Sequence, residues 1–85
     1  MNYAQENVTS ELEKAYEEEK YDLIISEHSD KVKEYPAKAI YYVAMAYYMK
    51  ANDNKVLELM DLSIQKDKTD PDAYFIKGMT FNYMG

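Results

Sequence analysis

The segment AIYYVAMAYYMKA, residues 39–51, returns in weakened form as AYFIKGMTFNYMG, residues 73–85. Ala39, Ile40, Tyr41, Ala44, Tyr47 and Ala51 fall on Ala73, Tyr74, Phe75, Gly78, Phe81 and Gly85. Small residues meet small ones, and large apolar residues meet large ones. A fixed period of this length is the signature of a solenoid, in which each unit buries its apolar face by stacking on the next. Such stacks hold other proteins more often than they carry out chemistry, so the echo points to a class of function without naming a partner.

The residues around the echo place five helices. AKAIYYVAMAYYMK, from Ala37 to Lys50, is apolar almost all round, as in a helix covered on several sides or awaiting a partner. Pro36 ends the helix before it, because the residue preceding a proline is driven out of the α region, and then opens the third helix at no cost in hydrogen bonds. That preceding second helix is predicted from Asp22 to Glu34, with Leu23, Ile24, Ile25, His28 and Val32 on its buried side. The first lies between Glu6 and Glu19, with Val8, Leu12, Ala15 and Tyr16 at helical spacing; Ser10 and Glu13 offer a capping box that sets a later start. The acidic run Glu17, Glu18, Glu19 opposes the helix dipole and predicts an early end. Beyond the third helix, the turn Ala51-Asn52-Asp53-Asn54 leads into a fourth, with Asp53 as its cap and Val56, Leu57, Met60 and Ile64 on one stripe. It runs to about Lys66, where Lys66 and Lys68 suit its negative end. Asp70-Pro71 is the clearest start signal, a cap residue followed by proline at the first helical position, and the fifth helix runs towards Met84. Connections of a few residues favour antiparallel neighbours.

Composition narrows the function further. The chain has 85 residues, enough for one small domain over residues 1–85, and a formal net charge of −6 with lysine as its sole strong base. Nucleic-acid binding is disfavoured, since phosphate contacts need a basic surface and base readout leans on arginine. The acidity serves solubility or attracts a basic partner. No cysteine is present, so disulfides and thiolate metal sites are excluded. The longest apolar stretch, from Ala39 to Met49, falls short of the ~20 residues a membrane span needs. The first residues are polar and lack the apolar core of a signal peptide, which makes a cytoplasmic location the default expectation. Ten tyrosines and six methionines stand beside only two glycines and two prolines, the profile of a helical protein rather than a disordered or turn-rich one.

These residues resemble the tetratricopeptide repeat (TPR) family, which repeats a helix pair roughly every 34 residues, the offset of the echo above. The best local match is DPDAYFIKGMTF, Asp70 to Phe81. Pro71 matches the inter-repeat proline, Tyr74 takes the place of the family's tryptophan, Gly78 its small residue and Phe81 its tyrosine. One repeat earlier those roles fall to Ile40, Ala44 and Tyr47, with Val43 alongside. Val56, Met60 and Ser63 follow as second-helix packing positions. In the first segment Leu12, Ala15, the turn Lys20-Tyr21-Asp22, Ile24 and Val32 correspond. The chain departs from the pattern at His28, where an aromatic is usual, at Ser63 in place of alanine, at Lys77 in place of leucine and at Asp53 in place of the turn aromatic. The first repeat is also about two residues short of the family period.

The resemblance implies an all-α, right-handed α-solenoid of antiparallel helix pairs, with two pairs and a fifth helix, whose first helices line a concave groove. Tyr41, Met45, Tyr48, Phe75, Met79 and Asn82 match the groove-facing positions. Methionine and tyrosine suit a binding surface because they adapt in shape and bury large areas at low ordering cost. The expected function is a non-catalytic scaffold that takes an apolar or amphipathic peptide or helix. The bland alternative is that the same side chains merely fill gaps between helices. Another is self-association through Phe75, Ile76, Phe81, Tyr83 and Met84, because about two and a half repeats leave the fifth helix too apolar for a finished cap. In that view the chain is either the N-terminal part of a longer repeat protein or half of a homo-oligomer. A third is a regulatory subunit of an enzyme or secretion system. A clamp for chaperone tails is disfavoured: Lys38 is the single basic residue on the groove side of the third helix, and Tyr41, Met45 and Asp72 stand where polar or basic clamp residues belong.

Nothing points to catalysis, a metal or a cofactor. His28 is the sole histidine, with only Glu27 and Asp30 as ordinary surface acids nearby. The acidic stretches Glu17–Glu19 and Asp67–Asp72 lack calcium-loop spacing, and neither glycine belongs to a phosphate loop. Ser10, Ser26, Ser29 and Ser63 have no base arranged around them.

Overall fold

The computed structural model describes residues 3–85, with side chains from residue 7 onward, so the polar start at Met1 and Asn2 lies outside the described residues. It is all-helical: α1 (Tyr3–Glu17), α2 (Tyr21–His28), a 3₁₀ segment (Ser29–Glu34), α3 (Ala37–Met49), α4 (Asp53–Lys66) and α5 (Pro71–Met84). No strand occurs among the described residues, and none of their helices is long and apolar enough to cross a membrane.

α3 is the centre. Seven of its thirteen residues are buried, and it packs on α1, α2 and most extensively on α4, while α5 rests mainly on α4. Leu12 of α1, Ile24 of α2, Val32 of the 3₁₀ segment and Val56, Leu59 and Met60 of α4 close around Ile40, Val43 and Ala44. Ala39, Ala44, Ala46 and Ala73 are fully buried, and their small size lets helix backbones approach closely. Two polar side chains complete the core. Ser63 donates to the Ala37 carbonyl at 2.9 Å, which explains serine at a position where the resemblance favours alanine. Thr80 satisfies itself on the Ile76 carbonyl at 2.8 Å.

The second helix is shorter than its sequence suggests. It gives way at His28 to 3₁₀ geometry, whose three-residue repeat sets Ser29, Val32 and Tyr35 on one side. Ser29 Oγ bonds the Tyr47 hydroxyl at 2.7 Å, Val32 is buried, and the Tyr35 hydroxyl bonds His28 Nδ1 at 2.8 Å. The Lys66 ammonium donates to the carbonyls of Lys33 and Tyr35 at 2.6 and 2.7 Å, so it caps this segment rather than serving the end of its own helix. Leu23, expected on the buried side, is 45% exposed. α1 runs through Ser10 without a cap there, and Leu59 replaces Leu57 among the fully packed positions of α4. Asn52, not Asp53, caps α4, accepting from the Lys55 N–H at 3.3 Å.

α1 and α3 end alike. The Lys20 and Glu19 N–H groups return to the carbonyls of Ala15 and Tyr16, and the Asn52 and Ala51 N–H groups return to those of Tyr47 and Tyr48, the paired bonds of a Schellman turn. Glu19 and Ala51, which hold the same place in the two turns, have φ of 62° and 60°, a left-handed backbone that strains any residue with a Cβ. Glu19→Gly and Ala51→Gly are therefore each expected to stabilise the fold by about 0.5–1 kcal/mol, a rise in Tm of several degrees in thermal unfolding followed by circular dichroism. A fall in Tm for either variant contradicts the turn geometry.

Candidate functional site

Helical geometry places Lys38, Tyr41, Tyr42, Met45, Tyr48 and Met49 within an arc of about 120° on α3, opposite its most deeply buried residues. This arc lies between α1 and α5. On the α1 side, Tyr16 packs its ring against Tyr42 at 5.9 Å and against Tyr21 at 5.6 Å. Tyr42 meets Tyr41 edge-on at 5.4 Å, and the Lys38 ammonium sits over the Tyr41 ring at 4.4 Å. On the α5 side, Lys38 reaches Asp70 Oδ2 at 3.2 Å and Asp72 Oδ2 at 3.7 Å. Further along, the Tyr48 hydroxyl donates to that of Tyr83 at 3.4 Å, with the rings 6.2 Å apart. Start therefore meets start and end meets end, so α3 and α5 run parallel.

The phenols of Tyr16, Tyr41, Tyr42 and Tyr48 stay protonated well above neutral pH. Burial, reinforced by Asp72 and Asp70, pushes Tyr41 up to about 12. Burial foremost, with Glu13 next, raises Tyr42; burial and the neighbouring Tyr21 raise Tyr16; the bond to Tyr83 raises Tyr48. The face thus offers neutral rings and hydroxyls beside the carboxylates of Glu13 and Glu17, with Asp70 and Asp72 already paired to Lys38, a setting that favours cations over aromatic faces.

Of the six groove positions expected from the sequence, Tyr41 and Tyr48 lie partly exposed on this face, whereas Met45 is only 8% exposed and forms its floor. Tyr48 also lines an open pocket of about 340 Å³ with Met49, Ala51, Asp53 and Tyr83. Phe75, Met79 and Asn82 instead gather with Tyr74 and Gly78 around a separate open hollow of about 400 Å³ on α5. Among the expected self-association residues, Phe75, Phe81, Tyr83 and Met84 are exposed, but Ile76 is 8% exposed and packs into the core. Tyr16 was legible as a face residue only from the shortened first period, which aligns it with Tyr48, at the same distance before the matching turn.

Among the described residues no group of three His, Cys, Asp or Glu is placed to hold a metal ion. His28 bonds Tyr35, and burial lowers its pKa. No protein-family model matches the chain, and no curated protein or solved structure is significantly similar to it.

Proposed function

We propose that this chain is a non-catalytic binding module with TPR-like right-handed stacking, which takes an amphipathic peptide or helix bearing basic and apolar side chains across α1, α3 and α5. The observation that carries this reading is the unbroken run of rings from Tyr21 through Tyr16 and Tyr42 to Tyr41, bordered by carboxylates. Tyrosine contributes large contact area with few rotors to fix, and its hydroxyl serves a partner's backbone. Lysine or arginine of the partner takes the place that Lys38 holds over Tyr41. The solenoid reading is supported by the like turns at Glu19 and Ala51, by the parallel α3 and α5, and by the buried pair Ala39 and Ala73.

A fluorescence-anisotropy screen of a helical peptide library, half basic and half acidic, tests this. Basic amphipathic peptides are expected to bind, more weakly as salt rises, because exposed charges are screened within about 8–10 Å. The double variant Tyr41→Ala/Tyr48→Ala is expected to lose at least tenfold in affinity while its circular dichroism is unchanged. Preference for acidic peptides, or equal binding to the double variant, overturns the placement.

A further inference from the structure

α5 buries one side and leaves the other bare. Ala73, Ile76 and Thr80 face inward, and Lys77 reaches Asp61 of α4 at 2.6 Å. On the outer side Tyr74, Phe75 and Phe81 are 48, 65 and 52% exposed. The internal echo shows what such a side ordinarily meets. Ile40, Ala44 and Tyr47, the counterparts of Tyr74, Gly78 and Phe81, are 0, 0 and 8% exposed within α3, which packs most extensively on antiparallel α4.

Gly78 sits at the middle of this bare side. Glycine weakens a helix interior relative to alanine, and a Cβ at Gly78 meets no atom within 4 Å, so packing inside the chain gives no reason for it. A second helix crossing over it does, because a glycine at the crossing lets two backbones approach. The side is also nearly symmetric about that point: Tyr74 and Phe75 lie four and three residues before Gly78, Phe81 and Asn82 three and four after it. Turned antiparallel on itself, it sets Tyr74 and Phe75 of each copy against Phe81 and Asn82 of its twin. Charge leaves this occupant unopposed at the contact itself. The charged residues of α5, Asp72 and Lys77, are engaged by Lys38 and Asp61, so the outer side is neutral. Two copies, each with a net charge of −6, meet there without opposing like charges.

We infer that a second copy of this chain docks antiparallel on the outer face of α5, across a two-fold axis at Gly78. The contact is isologous, as in most homodimers. Three half-exposed aromatics supply roughly 300 Å² per copy, short of the ~800 Å² of a standard interface, so the pair is weak and concentration-dependent. This face is distinct from the tyrosine run on α1, α2 and α3, and the inference does not rest on the peptide reading.

Sedimentation equilibrium of the full chain from about 10 µM to about 1 mM tests it. The mass is expected to climb from 10.0 kDa towards twice that value. Gly78→Leu, where a Cβ meets no atom within 4 Å, and Phe81→Lys, at a position 52% exposed, are expected to keep the helical spectrum and weaken pairing at least tenfold. Tyr41→Ala/Tyr48→Ala is expected to pair like the parent, which separates this surface from the peptide site. In this cysteine-free chain, Gly78→Cys is expected to cross-link under mild oxidation at least tenfold faster than Leu23→Cys. A constant 10.0 kDa mass overturns the inference, as does pairing untouched by Phe81→Lys and Gly78→Leu. A library peptide that binds a monomeric chain and is lost with Phe81→Lys also overturns it, assigning the face to a foreign helix.

Discussion

Ile40→Ala is expected to cost about 2–5 kcal/mol, the largest single effect of any substitution considered. Ile40 is fully buried on α3, the helix against which α1, α2 and α4 all pack. Removing three of its carbons forfeits transfer free energy and leaves a cavity that stiff helix backbones close only in part. Its neighbours Ala39 and Ala44 are too small to swing into the space. For a domain of this size the whole stability is about 4–13 kcal/mol, so the loss takes a large share of it and lowers Tm by roughly 10–25 °C. Leu23→Ala is the control, because Leu23 is 45% exposed and its truncation belongs with surface changes of about 0.5 kcal/mol or somewhat more. Urea unfolding of the two variants side by side decides the matter. Equal midpoints contradict α3 as the centre of the core.

Asp70→Ala is the second. One carboxylate oxygen accepts from the Asp72 N–H at 3.0 Å and caps α5, while the other accepts from the Lys38 ammonium at 3.2 Å and ties α5 to α3. The side chain is only 11% exposed, so water replaces little of either bond. A lost cap costs about 0.5–2 kcal/mol and a hydrogen bond to a charged group about 1.5–3, and because one side chain serves both, about 2 kcal/mol in total is expected. Lys38 is half exposed and regains water, which keeps the effect below that of a fully buried pair. Asp70→Asn retains the cap and is expected to lose about half as much. Lys38→Met removes the tie alone and matches Asp70→Asn if the two contributions separate. Hydrogen exchange then shows α5 opening before α3. Uniform loss of protection across all helices shows instead that α5 does not open as a separate unit.

Much of the architecture was legible in the chain because its signals are local. Asp70-Pro71 begins α5 where a cap and a pre-set φ belong, Pro36 separates the 3₁₀ segment from α3, and the apolar run Ala39–Tyr47 is the part of the chain most deeply buried. The site was legible only in part. Tyr41 and Tyr48 are partly exposed on one arc of α3, but Phe75 and Asn82 turn to the outer side of α5, because α5 rests on α4 by Ala73, Ile76 and Thr80. Residue spacing places a side chain on an arc of its own helix. It leaves open which neighbour that arc meets.

The sequence by itself determined an all-helical chain, the order of its helices and most of their ends, since caps, prolines and apolar periodicity act within a few residues. Only the tertiary structure decided the break of the second helix into 3₁₀ geometry, the use of Lys66 on the Lys33 and Tyr35 carbonyls, and the contact of Tyr16 with Tyr42. The physical reason is common to all three. Each joins residues distant in the chain or answers to such a join, so each depends on where whole helices settle, which packing sets and local propensity does not.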